Sequence, residues 1–194
     1  MRNAFQPILA TLGYVLSPDA RRVLLIHRNK RPDDIHYGKY NGLGGRVEPT
    51  ESVAAGMRRE INEESGLLAD EIVLRGTISW PGFGKNGEAW FGFIFRVDRW
   101  SGIPHEGNHE GTLEWVNLDR LYDLPLWESD RLWLPMVFDR RPTMFHGIMP
   151  FHNGRMVSWS YDEVRSSAAE TQHRDRAPGA HEKIQKDQSG GSDA

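Results

Sequence analysis

The sequence predicts an α/β (α+β) chain, in which strands outnumber helices and supply most of the core. Three observations lead there. Apolar, β-branched runs separated by turn residues recur from Ile8 to Tyr161, the pattern of successive strands. One long amphipathic helix interrupts them between Thr50 and Gly66, and a second, shorter helix is expected from about Ser129 to Asp139. That order suits a sandwich of sheet and helices, with no internal repeat.

Composition agrees with one domain and excludes several function classes. With 194 residues, 38% hydrophobic and 26% charged, the chain can bury a well-formed core. A net charge of −3 gives no electrostatic case for binding long nucleic acid or an anionic membrane. No run approaches the roughly 18 apolar residues that span a bilayer. The N-terminal stretch MRNAFQPILATLGYVL has no small-residue cleavage signal and reads as a strand. Cysteine is absent, which rules out disulfides and thiol catalysis and fits a reducing cytoplasm, the expected location.

In order, Ile8 to Leu16 and Arg22 to His27 read as strands around the turn Ser17-Pro18-Asp19. The polar segment RNKRPDDIHYGKY is an expected loop. Gly42, Gly44 and Gly45 then lead into the helix, with Thr50 as expected N-cap, Glu51 in the first turn and Gly66 as closing glycine. Ile72 to Trp80 and Ala89 to Asp98 are expected strands, linked through Pro81-Gly82 and Asn86-Gly87. Thr112 to Asn117 is a shorter strand, and Asp119 to Tyr122 a helical turn. Pro135 either kinks the second helix or marks its first turn. Met144 to Phe151 and Arg155 to Tyr161 read as a closing hairpin around Asn153-Gly154. The domain is therefore expected over 1–165. From about Ser166 the composition turns to Ser, Ala, Gln, His, Asp and Gly, so 166–194 is expected to be a disordered tail.

The chemistry is concentrated in the long helix. At about 100° per residue, Val53, Ala54 and Ile61 fall within roughly 60° of Met57, an ordinary apolar stripe. Glu64 falls inside that stripe, and Glu60 and Glu63 lie beside it at i, i+3, i+4 spacing. Like charges so arranged repel, and near a helix C-terminus the macrodipole opposes them too. A divalent cation relieves both effects, and hard carboxylate oxygens suit Mg²⁺ or Mn²⁺. A solvated acidic face is the ordinary alternative, and Glu64 on the apolar side argues against it.

These residues carry a resemblance. The pattern G-x5-E-x7-R-E-U-x-E-E-x-G-U, with U apolar, is met by Gly45, Glu51, Arg59, Glu60, Ile61, Glu63, Glu64, Gly66 and Leu67. On it the chain is identified as a member of the Nudix hydrolases. The resemblance implies a mixed sheet between helices and metal-dependent attack of water on a nucleoside diphosphate linked to another group. It also implies Glu60, Glu63 and Glu64 as metal ligands or general base, the Gly44 carbonyl as a further ligand, and Arg59 as orienter of the cluster. Arg59 lies about 40° from Glu63 on the wheel, one turn away. Glu110, favoured over its neighbours Glu106 and Glu114, corresponds to an outlying acidic ligand or base, and Arg28 to a basic residue that touches phosphate.

Outside this box the chain resembles the MutT-type branch, which acts on oxidised purine nucleoside triphosphates. The matching pieces are VLLIHRNK, GKYNGLGGRV, EGTLEWV, LWESD with its WLP, and the terminal FHG. The resemblance implies that Asn41 and Asp130 read the base edge, that Trp80 and Trp127 wall the base pocket, and that Thr11 lies at its floor. Read alone, Asp130 serves equally a helix N-terminus, Trp127 a hydrophobic staple and Asn41 the glycine turn. Related animal enzymes place two adjacent acids where this chain has Ser129-Asp130, so a narrower, guanine-type preference is expected. The expected reaction is Mg²⁺-dependent release of monophosphate and pyrophosphate from a small nucleotide. The competing readings are hydrolysis of ADP-ribose, dinucleoside polyphosphates or ordinary nucleotides, and a non-catalytic binding domain.

Overall fold

The computed structural model describes residues 4–165; the expected tail, 166–194, lies outside them. β1 (Ile8–Leu16) and β2 (Arg22–His27) are antiparallel but pair only near their turn, at Val15↔Leu24 and Leu16↔Val23. Beyond it, later chain enters between them. β3 (Tyr40–Asn41) pairs with Ile26 and His27 of β2, and Leu43 and Arg46 then bridge to Gly13 and Ala10 of β1. This wedge lays the glycine loop across the middle of β1.

α1 spans Val53–Ser65, and its N-cap is Ser52, whose hydroxyl accepts from the Ala55 N–H at 3.1 Å. The cap expected at Thr50 is therefore corrected, and Glu51 precedes the helix instead of occupying its first turn. The reason is that Glu51 is engaged elsewhere. Its carboxylate accepts from the Glu48 N–H at 2.9 Å and from Arg59, folding the 48–51 turn against the helix flank. Ser52 is the next available oxygen. Gly66 closes the helix at φ 76, as expected, donating to the Asn62 carbonyl at 2.8 Å.

β4 (Leu68–Trp80) and β5 (Trp90–Ser101) form the longest antiparallel pair. Both outrun their sequence-derived bounds, because register shifts between Ala69 and Ile72 break the alternation that would reveal the β4 start. β6 (Thr112–Asn117) pairs with β2, followed by a 3₁₀ turn (Leu118–Asp123) and α2 (Asp130–Phe138), with Pro135 inside the helix. The closing hairpin needs a second correction. Asn153-Gly154 joins only β8 (Phe151–His152) and β9 (Arg155–Met156), whereas the main ladder runs between β7 (Thr143–Ile148) and β10 (Ser160–Arg165). Pro150 cannot donate to a ladder, and its carbonyl instead accepts from the Val157 N–H at 2.8 Å.

The sheet runs β10-β7-β4-β5-β1-β2-β3, with β6 on the far side of β2. It is mixed, since β1 and β5 are parallel, as are β4 and β7. Each face has its own core. α1 buries Met57 and Ile61 with Val15, Leu24, Ile26, Leu43 and Phe95. α2 buries Trp133, Leu134 and Val137 with Tyr14, Leu25, Ile78, Ile94 and Phe145. Full burial of each such side chain contributes about 1.5–3 kcal/mol. The last turn of α2 is held by two arginines: Arg75 donates to the Met136 carbonyl at 3.2 Å and Arg96 to the Asp139 carbonyl at 2.9 Å. None of the described helices is long and apolar enough to cross a membrane.

Candidate active site

Two sets of residues meet at Gly44 and Gly45. Gly44 has φ +152, and a Cβ there would lie 2.2 Å from the Thr11 carbonyl oxygen. Only glycine lets the loop lie this close to β1. A Cβ on Gly45 would stand 2.5 Å from the Glu60 carboxylate, so the same loop also presses on the acidic helix. Gly44 donates its N–H to Glu64 Oε2 at 2.9 Å.

Around Arg59 every N–H donor of the guanidinium is used. Nε and Nη2 hold Glu51 at 3.0 and 2.7 Å, Nη1 holds Glu60 at 2.8 Å and Glu63 at 3.0 Å, and Nη2 also reaches the Arg46 carbonyl at 3.1 Å. The expected orienting role thus includes an anchor, Glu51, that the sequence places in the first turn of the helix. Glu63 is exposed, whereas Glu60 and Glu64 are partly buried. Burial, with Glu110 and Glu60 nearby, pushes the Glu64 carboxyl up to about 8, against the Gly44 N–H and Arg28, which lower it. Burial likewise raises Glu60, opposed by Arg59.

Glu110 sits across from this helix, paired with Arg28, which also pairs with Asp34. Its influence on Glu64 separates it from Glu114, whose carboxylate accepts from the Tyr40 hydroxyl at 2.7 Å and the Thr112 hydroxyl at 3.0 Å. Among the described residues, no three acidic or histidine side chains stand as a ready-made ion cage, for Glu60 and Glu63 turn to Arg59 and Glu110 to Arg28. The donor set still fits a hard divalent cation. Glu64 is a partly buried carboxyl crowded by two others, with a side-chain-free cradle at Gly45.

Beside the helix lies a cavity of about 330 Å³. It is lined by Thr11, Arg28, Asn41, Gly44, Trp80, Trp127 and Asp130, so the expected base-reading residues, separated in sequence, share one enclosure with the glycine loop. Burial pushes Asp130 up to about 7, while the Ser129 hydroxyl and Lys39 act to lower it. Trp127 is fixed at its edge by His36, whose Nδ1 accepts the indole N–H at 3.0 Å, and Lys39 stands 5.1 Å over its ring. A Cβ on Gly92 would meet the Trp80 ring at 2.2 Å, so the glycine leaves the space that this ring fills. The residues missed by sequence reading are Arg46, Phe83, Trp90, Trp133, Phe151 and His36, all lining the same cavity. Nothing local in the sequence marks them, since β4, β5, α2 and the 28–39 loop converge only in the fold.

Residues 7–137 match the NUDIX domain family. The chain belongs to that family. With its box complete, this Nudix protein is a hydrolase of phosphoric anhydrides. It is 33% identical over 161 residues to an oxidized purine nucleoside triphosphate hydrolase of Danio rerio, covering 82% of this chain and 97% of the relative. A protein of the same name from Mus musculus is 34% identical over 159 residues, covering 81% and 96%. A MutT protein structure from Bacillus halodurans shares the fold, with a TM-score of 0.68 at 24% identity over 80% of this chain and 97% of that one. Nudix hydrolases generally use divalent cations and act on small nucleotides.

Proposed function

We propose that this Nudix hydrolase cleaves oxidised purine nucleoside triphosphates of the guanine type to monophosphate and pyrophosphate, in a cytoplasmic nucleotide pool and with Mg²⁺. The observation that carries this reading is the single cavity joining Asn41, Asp130, Trp80 and Trp127 to the carboxylate helix through Gly44 and Gly45. The flat indoles of Trp80 and Trp127 suit stacking on a base. Asn41 Oδ1, which has no partner among the described residues, accepts from a guanine edge that Asp130 also faces. Glu60, Glu63, Glu64 and Glu110, with the Gly44 carbonyl, are the groups that would hold the metal. When bound there, such a cation would neutralise phosphate charge and make water more nucleophilic. Arg59 keeps Glu60 and Glu63 in place, and one carboxylate takes the proton from water. Arg28 faces the phosphates. With Ser129 in place of a second acid, base selection rests on Asp130 alone.

The relatives from Danio rerio and Mus musculus are named oxidized purine nucleoside triphosphate hydrolases, which supports the substrate class. The test is a profile of kcat/KM with Mg²⁺ over 8-oxo-dGTP, 2-oxo-dATP, dGTP, ADP-ribose and a dinucleoside polyphosphate. A dominant value for 8-oxo-dGTP is expected. Comparable turnover of the oxidised adenine nucleotide removes the guanine preference, and a dominant value for ADP-ribose removes the whole assignment.

A further inference from the structure

The described residues contain seven buried side-chain polar atoms without a hydrogen-bond partner, and five of them belong to residues of the base cavity: Thr11 Oγ1, Arg28 Nε, Asn41 Oδ1, Trp90 Nε1 and Trp133 Nε1. Trp133 stands beside Asp130, close enough to lower its pKa though not in hydrogen-bond geometry. Trp90 has no such neighbour. Its indole N–H can only donate, and a buried donor left unmet is costly.

Trp90 is also firmly placed. It opens β5 directly opposite Trp80, so the two side chains share a face of the sheet. The Arg46 guanidinium lies 5.2 Å over its ring, and Phe83 meets it edge-on at 6.5 Å. β5 flanks β1 on one side, while β2 and β3, with Asn41, flank it on the other. Asn41 and Trp90 thus line one cavity from opposite flanks of β1, so a base whose pairing edge is held by Asn41 and Asp130 would have its opposite edge on the Trp90 side. In guanine that edge carries a C8 hydrogen. In the oxidised base it carries a carbonyl oxygen, an acceptor.

We propose that the Trp90 indole N–H is a specificity-determining donor that reads the C8 carbonyl of the oxidised purine. This rests on the function proposed above. An oxidised base supplies the missing acceptor, whereas ordinary guanine leaves the donor buried and unmet.

The test compares wild type with Trp90→Phe, which keeps an aromatic wall and deletes the donor. With 8-oxo-dGTP, Trp90→Phe is expected to raise KM about tenfold at nearly constant kcat. The rise for dGTP and for 8-bromo-dGTP, which is bulky at C8 without an accepting oxygen, is expected to be several-fold smaller. Equal losses on all three substrates, or an unchanged ratio of oxidised to ordinary nucleotide, overturn the proposal. A wild type with no preference for 8-oxo-dGTP instead overturns the parent reading, so the two failures are distinct. A second measurement needs no folded variant. In ¹⁵N-labelled wild type the Trp90 indole resonance is expected to shift with 8-oxo-dGMP and not with dGMP, and identical shifts with both refute the contact.

Discussion

The acidic helix and the base cavity touch at Gly44 and Gly45, yet they treat polar atoms in opposite ways. On the helix, Arg59 satisfies each of its donors internally, with Glu51, Glu60, Glu63 and the Arg46 carbonyl. In the cavity, Asn41, Thr11 and Trp90 carry buried groups with no partner in the described protein. A site that must position charge before substrate arrives is built from ion pairs. A site that must tell one base from another keeps its donors and acceptors free, because a hydrogen bond already satisfied cannot discriminate. Activity and specificity should therefore break separately.

The largest effect is expected from Glu60→Gln, which keeps shape and removes the charge beside Gly45. Steady-state assays should show kcat lowered by roughly 10³-fold with the melting temperature unchanged or raised. Loss of folding, or full activity, would contradict the role given to Glu60. Arg59→Lys comes next. A single ammonium cannot reproduce the fork that holds Glu51 and Glu60 together, so kcat should fall by about 10²-fold with KM nearly constant. If KM alone changes, Arg59 belongs with substrate binding instead.

On the cavity side, Trp127→Ala should raise KM for 8-oxo-dGTP by about 10- to 100-fold, the worth of one stacked base, while kcat stays within about threefold. A collapse in kcat would mean that the two regions are not separable. The last prediction concerns stability and not turnover. Burial raises the Asp130 pKa from 3.8 to about 7, so between those values the folded chain holds a proton that the unfolded chain has released. This contribution to stability is fully present below the unfolded pKa and is lost as pH rises through the folded one. Relative to wild type, Asp130→Asn should thus gain stability from about pH 4 to pH 7 and hold that gain constant above. Urea midpoints at pH 5 and pH 8 check this, and a gain that shrinks with pH would show that Asp130 is stabilised as a carboxylate.

The helix was legible because its signals are local. Glu60, Glu63 and Glu64 share a surface by i, i+3, i+4 geometry, and Gly66 marks the end by its left-handed backbone. The N-cap was misread because Thr50 and Ser52 are both capping residues. The choice between them depends on Glu51 reaching Arg59, a contact formed only once the 48–51 turn folds back. The strand ladder of β7 with β10 was misplaced for a similar reason, since Asn153-Gly154 is a strong hairpin signal that describes only the two-residue β8–β9 pair.

By itself, then, the sequence determined the acidic helix, its glycine loop and the hydrolytic chemistry, because helical period and turn residues act over a few positions. Tertiary structure alone decided which side chains enclose the base. Trp80 and Trp90 face one another across β4 and β5, Asp130 arrives on α2, and Asn41 enters through the gap where β1 and β2 part. Sheet register and helix packing set those neighbours, and neither has a signature in the residues next to them.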